Sequence, residues 1–217
     1  MRKKNLVRGL AATGAAGVLA VGVATSAFAG PPFTVSVGGS TVAGTHAADA
    51  ASTGTTTFSA GTSMTCTSVK LHGDVFSGTG LTSPADVTSS SSSEWAGCKG
   101  GPLSTALTAT PSFPSAWTFT GTSGPDANGV TQGTLSGIQV HVQDTGTNGT
   151  LCHFDVGGTV QGTFNNNTQV LTVLPTGGTL TTSGVSCLFP VNATATFSGS
   201  FDITDPSTGA HYPVVVS

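Results

Sequence analysis

The chain is poor in charge, and poorest in positive charge. Of its 217 residues only 6 are Lys or Arg and 9 are Asp or Glu, 7% in all, where an ordinary globular domain carries about 25%. Arg2, Lys3, Lys4 and Arg8 crowd the first eight positions, so the remainder holds Lys70 and Lys99 and no Arg at all. Nucleic-acid binding draws on Lys and Arg that displace counterions from phosphate. Docking on anionic lipid gains only about 1 kcal/mol per basic side chain. Nucleic acid is therefore excluded, and the same deficit argues against anionic lipid. Aromatic residues are scarce at 6%, with two Trp and one Tyr, and Glu94 is the single glutamate. Hydrophobic residues nevertheless make up 37% and recur beside β-favouring Thr along the whole chain, which excludes the low-hydrophobicity, high-charge composition of disorder.

The basic start is followed by a small apolar run over residues 9–23 and by Ala27-Phe28-Ala29. A basic n-region, an apolar h-region and an Ala-x-Ala end are the three parts of a secretory signal peptide. The run is mostly Ala and Gly, interrupted by Thr13, whereas a membrane anchor needs about 20 strongly apolar residues. Cleavage is expected after Ala29, giving a mature protein from Gly30 with no transmembrane anchor. Residues 30–217 then carry two Lys against nine acids, a net charge of −7 with His neutral.

Four cysteines, Cys66, Cys98, Cys152 and Cys187, lie in the exported part. An even number in an oxidising compartment points to disulfides, and no two are close enough in sequence to suggest a zinc site. Three connectivities are open. The nearly equal spacings favour Cys66 with Cys98 and Cys152 with Cys187.

Alternation of period two marks strands over residues 33–37, 64–72, 116–120, 134–142, 151–156, 169–174 and 193–204. Only Thr45 to Ala51, with His46, Ala47, Ala48, Asp49 and Ala50, reads as a short helix. Turn chemistry lies between strands at residues 125–129, 144–149 and 205–209, where Asp, Asn, Pro and Gly supply the required dihedrals. The expected fold is all-β, an antiparallel sandwich or barrel-like domain over residues 30–217, with a division near residues 121–128 as the alternative. The stretch from Cys152 to Phe164, then Leu171-Thr172-Val173, then Cys187 and Ala195 to Phe201 resembles small secreted, disulfide-bridged all-β proteins of actinomycetes. That resemblance implies an exported all-β protein of bacterial source with paired cysteines, and brings no catalytic residues. In that setting the sequons at Asn148, Asn166 and Asn192 carry no glycan.

No G-x-S-x-G elbow is present. The histidines are His46, His72, His141, His153 and His211. Asp86, Asp126, Asp144 and Asp205 read as turn formers, whereas Asp155 and Asp202 sit in strand-like segments. From Asp144 to Asp155 the chain half-matches a calcium loop: Asp144, Asn148, Gly149 and Asp155 occupy positions one, five, six and twelve, but Gly146 fails position three. His141, His153 and Asp155 could share one face of the same hairpin as transition-metal donors. Trp95 and Tyr212 are the amphipathic aromatics that a sugar-binding surface would use, with Trp95 alternatively covering the Cys66–Cys98 bridge, and Trp117 is expected in the core. With no cofactor and no catalytic residues assigned, the expectation is a secreted, non-catalytic extracellular or cell-surface protein of structural or adhesive type. Its partner would be cell wall, polysaccharide or another surface protein. The alternative is a polysaccharide-binding or polysaccharide-degrading protein.

Overall fold

A computed structural model describes residues 32–88, 94–101, 104–145, 153–184 and 189–217. The expected signal peptide, Asn148 and the pair Cys152 and Cys187 lie outside the described residues. Sixteen strands follow in chain order: β1 (Phe33–Val37), β2 (Gly44–Ser52), β3 (Thr56–Ser59), β4 (Ser63–Cys66), β5 (Ser68–Leu81), β6 (Ala85–Val87), β7 (Glu94–Ala96) and β8 (Lys99–Gly100). They continue with β9 (Thr105–Pro111), β10 (Trp117–Ser123), β11 (Val130–Asp144), β12 (His153–Asn165), β13 (Val170–Val173), β14 (Leu180–Ser183), β15 (Thr194–Thr204) and β16 (Val214–Val216). The fold is all-β, as its alternating pattern predicts, and every strand pair is antiparallel.

Hydrogen bonding closes this sheet on itself. One circuit runs β15, β2, β5, β6, β10, β11, β12, β13 and back to β15. A second runs β15, β3, β4, β8, β9, β11, β12, β14 and back to β15. Long strands β11, β12 and β15 belong to both, so two barrel-like rings share part of their walls. Where β11 passes from one ring to the other, its register with β12 slips between Leu135 and Ile138. Gly137 has φ +78° there, and an added Cβ would lie 2.9 Å from the Ala116 carbonyl. Only glycine accepts both the backbone angle and the approach.

Alternation explains which way the walls face. In β11, Thr131, Leu135, Val140 and Val142 are buried, while Gln132, Gln139 and Gln143 are exposed. The interior is Val, Leu, Phe and Ala, and the outer face is mainly Thr, Ser and Gln, the reverse of the apolar outer band of a membrane-spanning barrel. Among the described residues no helix is long and apolar enough to cross a membrane.

Strands β1 and β16 pair with each other and close the end of the first ring, with Phe33, Val35, Val214 and Val216 all buried. Gly121 makes room for this closure: a Cβ there would come within 2.2 Å of the Phe33 ring. At the far end Phe58, Phe154 and Phe189 form a ring cluster with centroid separations of 4.7–6.1 Å. Beside it Cys66 and Cys98 are bonded.

Two sequence expectations are corrected. Thr45 to Ala51 lies within strand β2, because Ala48 and Ala50 turn into the interior while the backbone is held by β5 on one side and β15 on the other. The four alanines favour a helix locally, but seven residues are too few to nucleate one against two ladders. Asp86 is no turn former: it sits in mid-strand in β6, opposite Asp74 and Thr118. Asp144, by contrast, is the last residue of β11, opposite Leu107 and beside the turn expected at residues 144–149. The alternative domain boundary falls on the β10–β11 hairpin turn, closed by Asp126 N–H to the Val130 carbonyl. Both rings draw strands from either side of it.

Asp126 and Asp205 are turn formers as expected. Asp126 Oδ1 accepts from the Val130 and Asn128 amides, and Asp205 Oδ1 accepts from the Ser207 hydroxyl and amide. These bonds hold both carboxyls below the ordinary aspartate range. A folded-state value below the unfolded one, about 3.9, contributes stability present above that pH and lost as pH falls through the lowered value. Replacing both with Ala should therefore flatten the decline of the urea midpoint between about pH 5 and 2. An unchanged slope would show that the turns titrate no differently from the unfolded chain.

Candidate functional site

Three polar clusters and two aromatic positions contain the chemistry that the fold assembles. The first is the outer face of the β11–β12 hairpin, where His141 lies directly opposite Asp155 and Gln143 opposite His153. His141 Nδ1 lies 2.8 Å from Asp155 Oδ1, and the two imidazole centroids are 5.7 Å apart. Sequence spacing anticipated this juxtaposition. With Nδ1–H donating to the carboxylate, His141 would keep Nε2 as an acceptor toward solvent. Among the described residues, however, no group of three His, Cys, Asp or Glu side chains is placed to hold a metal ion. The calcium-loop candidates separate: Asp144 follows the inward parity of Val142, whereas Asp155 faces outward with His141. Positions one and twelve of that loop do not share a face.

The second cluster was not singled out from sequence. Residues directly opposite each other on neighbouring strands share a face, so the registers give outward rows across β15, β2, β5, β6, β7 and β10. One row is Asp202, Ala51, Lys70, Glu94; the next is Thr204, Asp49, His72; a third is Ala47, Asp74, Asp86, Thr118. Five of the chain's nine acids thus line one wall. Asp49 is buried, and its carboxylate is gripped by Lys70 Nζ at 2.8 Å and by His72 Nδ1. The Asp49 hydrogen bond raises Lys70 above the ordinary lysine range against the opposing effect of burial. The polar residues Lys70, His72 and Asp74 at every second position were the sequence signal for this wall.

Asp74 and Asp86 face each other in register. Asp74 Oδ2 accepts a long bond from the Thr88 hydroxyl, while Asp86 Oδ1 is buried without a partner among the described residues. Like charges directly opposite are destabilising, and a buried acceptor without a donor adds to the cost. Asp86→Asn is expected to stabilise the fold by about 1 kcal/mol, read as a higher urea midpoint. A lower midpoint would mean that the carboxylate has a compensating role.

The third cluster joins His46, Ser77 and Tyr212. His46 Nε2 is 2.9 Å from Ser77 Oγ, the geometry a nucleophilic serine would need. But Ser77 is 3% exposed, and its hydroxyl donates to the Val42 carbonyl at 2.6 Å. With that proton committed to backbone, His46 is the donor and the pair is a clamp between β2 and β5. The Tyr212 ring meets His46 edge-on at 6.3 Å, and burial raises its phenol above the ordinary range, with Asp205 adding a smaller contribution.

Trp117 is core, with Nε1–H donating to the Ser112 carbonyl. Trp95 packs on Phe197 at 5.9 Å and lines the interior. Trp95 stands opposite Val69 of β5, whereas His46, the neighbour of Tyr212, stands opposite Val75. Six residues of strand separate these positions by about 20 Å, so the two aromatics do not form one stacking platform. Of the sequons, Asn166 uses its side-chain amide to bond both backbone groups of Val216. No protein-family model, no curated protein and no solved structure matches this chain.

Proposed function

We propose that the chain is an exported, non-catalytic extracellular or cell-surface protein that works as a structural or interaction module. The observation that carries this reading is the outer wall: apart from the acidic rows it presents mostly neutral hydroxyl and amide side chains over a closed apolar interior. A shallow groove of about 310 Å³ lined by Thr53, Thr55, Thr172, Ser198 and Ser200 continues that surface. Such a wall suits hydrogen bonding to an uncharged polar partner. The buried Cys66–Cys98 disulfide belongs with an oxidising compartment, and β1 begins at Phe33, beyond the cleavage expected after Ala29. The likeness to secreted actinomycete proteins is part of the same proposal.

The polysaccharide alternative loses its aromatic platform with the separation of Trp95 from Tyr212. A coating role on apolar surfaces has little to draw on, because the exposed large apolar side chains among the described residues are Val42, Val191 and Val215, well short of a broad patch. The test incubates the protein beginning at Gly30 with purified cell walls, and separately with glycan, ester and peptide substrates. Retention on walls that persists at about 1 M salt, where charge attraction is screened, is the expected result. Turnover of any substrate by the purified protein would overturn the non-catalytic reading.

A further inference from the structure

The interior of the first ring is incompletely filled. A partly open apolar space of about 120 Å³ remains inside the wall, although protein interiors hold few voids larger than a water molecule. Its origin is visible in the sequence of the wall. Where β5, β11 and β15 contribute Leu71, Val140 and Phe201, β2 contributes only Ala48 and Ala50. An eight-stranded barrel is just wide enough for its side chains to fill or for one small ligand to enter. Small residues here leave the second outcome.

The space is not wholly without polarity. Trp95 lines it, and the Trp95 indole Nε1 is buried with no hydrogen-bond partner among the described residues. A buried N–H left unpaired is costly, and buried indoles usually find an acceptor. Trp117 meets that requirement through the Ser112 carbonyl; Trp95 has no such acceptor among the described residues. Among the described residues no Lys, Arg or His borders the space, so an anionic occupant would find no counter-charge there.

We propose that this interior is a binding site for one small neutral molecule, of roughly the size of benzene, that is mainly hydrocarbon and has a single carbonyl or ether oxygen to accept the Trp95 N–H. An apolar cavity of about 150 Å³ stays dry and takes up benzene, so the volume here is in the range that captures such a ligand. The apolar wall supplies affinity, and the indole selects the oxygenated member of a pair of equal shape.

Cyclohexanone and cyclohexane are the matched probes, titrated into the protein beginning at Gly30 with its disulfide intact. Methyl resonances of Leu71 and Val140 and the two indole N–H resonances report binding. Cyclohexanone is expected to move the lining methyls and the Trp95 indole signal while leaving that of Trp117 in place. Trp95→Phe, which keeps a ring and removes the N–H, should weaken cyclohexanone about fivefold and leave cyclohexane unchanged. Ala50→Val, which fills space with two methyl groups, should weaken both. The proposal is overturned if saturating cyclohexanone leaves the lining methyls of the parent protein unmoved, which needs no variant to fold. It is equally overturned if Trp95→Phe binds the ketone as tightly as the parent.

Discussion

Replacing Cys66 and Cys98 together with Ala is expected to destabilise the protein by about 3 to 4 kcal/mol. The bridge spans 32 positions, and the loop-entropy relation gives that range for such a separation. The location makes the loss consequential. Strand β8 has two residues, and its ladder to β4 rests on Met64 opposite Gly100 and Thr65 opposite Lys99. The disulfide joins the end of β4 to the residue before β8, so it staples the shortest connection in the second ring. Both sulfurs are buried, with Cys66 1% and Cys98 4% exposed, and their removal also leaves unfilled space. A domain has only about 5 to 15 kcal/mol of stability in total. Urea unfolding of the double variant should show the loss, and hydrogen exchange should locate it first in β9, the next strand of that ring. A change below about 1 kcal/mol would mean that the β4–β8 connection is maintained without the covalent bond.

Gln169→Ala should cost about 1 to 3 kcal/mol and release the C-terminal strand. Strand β16 pairs with β1 on one edge only. On its other edge, Gln169 Oε1 accepts the Val214 N–H and Gln169 Nε2 donates to the Val214 carbonyl, while Asn166 treats Val216 in the same way. Two side-chain amides thus imitate a neighbouring strand. Gln169 is 9% exposed, so truncation leaves the Val214 carbonyl unmet, at about 1 to 3 kcal/mol, and leaves the Val214 N–H with the Tyr212 carbonyl alone. Gln169 also has φ 58°, a region that Ala tolerates poorly and glycine accepts. Comparison with Gln169→Gly therefore separates the clamp from backbone strain: both variants should lose amide protection at Val214 and Val216. Gln169→Glu supplies acceptors alone, so it should fail to satisfy the Val214 carbonyl despite its equal size. Full protection of Val214 in the Gly variant would show that β1 suffices to hold β16.

The amino-acid sequence by itself determined the class of the fold and the sense of each wall. Alternation in residues 193–204, and in 138–142 beyond the bulge at Gly137, states which side chains go inward, because a regular strand has period two whatever it pairs with. Asp126 and Asp205 were legible for a related reason: an Asx turn bonds within a few residues of itself. The His141, His153 and Asp155 face was legible too, since a hairpin brings near-neighbours in sequence together.

Only the tertiary structure decided what depends on distant partners. Ala48, Asp49 and Ala50 resemble a helix locally and become a strand because β5 and β15 supply ladders on both sides. The acidic wall arises from registers that align Asp202, Asp49, Asp74, Asp86 and Glu94 from five separate strands. Closure into rings, the amide clamp on β16 and the space beneath Trp95 share that origin. A strand's own residues specify its faces, whereas its hydrogen-bonding neighbours lie tens of residues away, and the choice among them is made by how well the assembled interior fills.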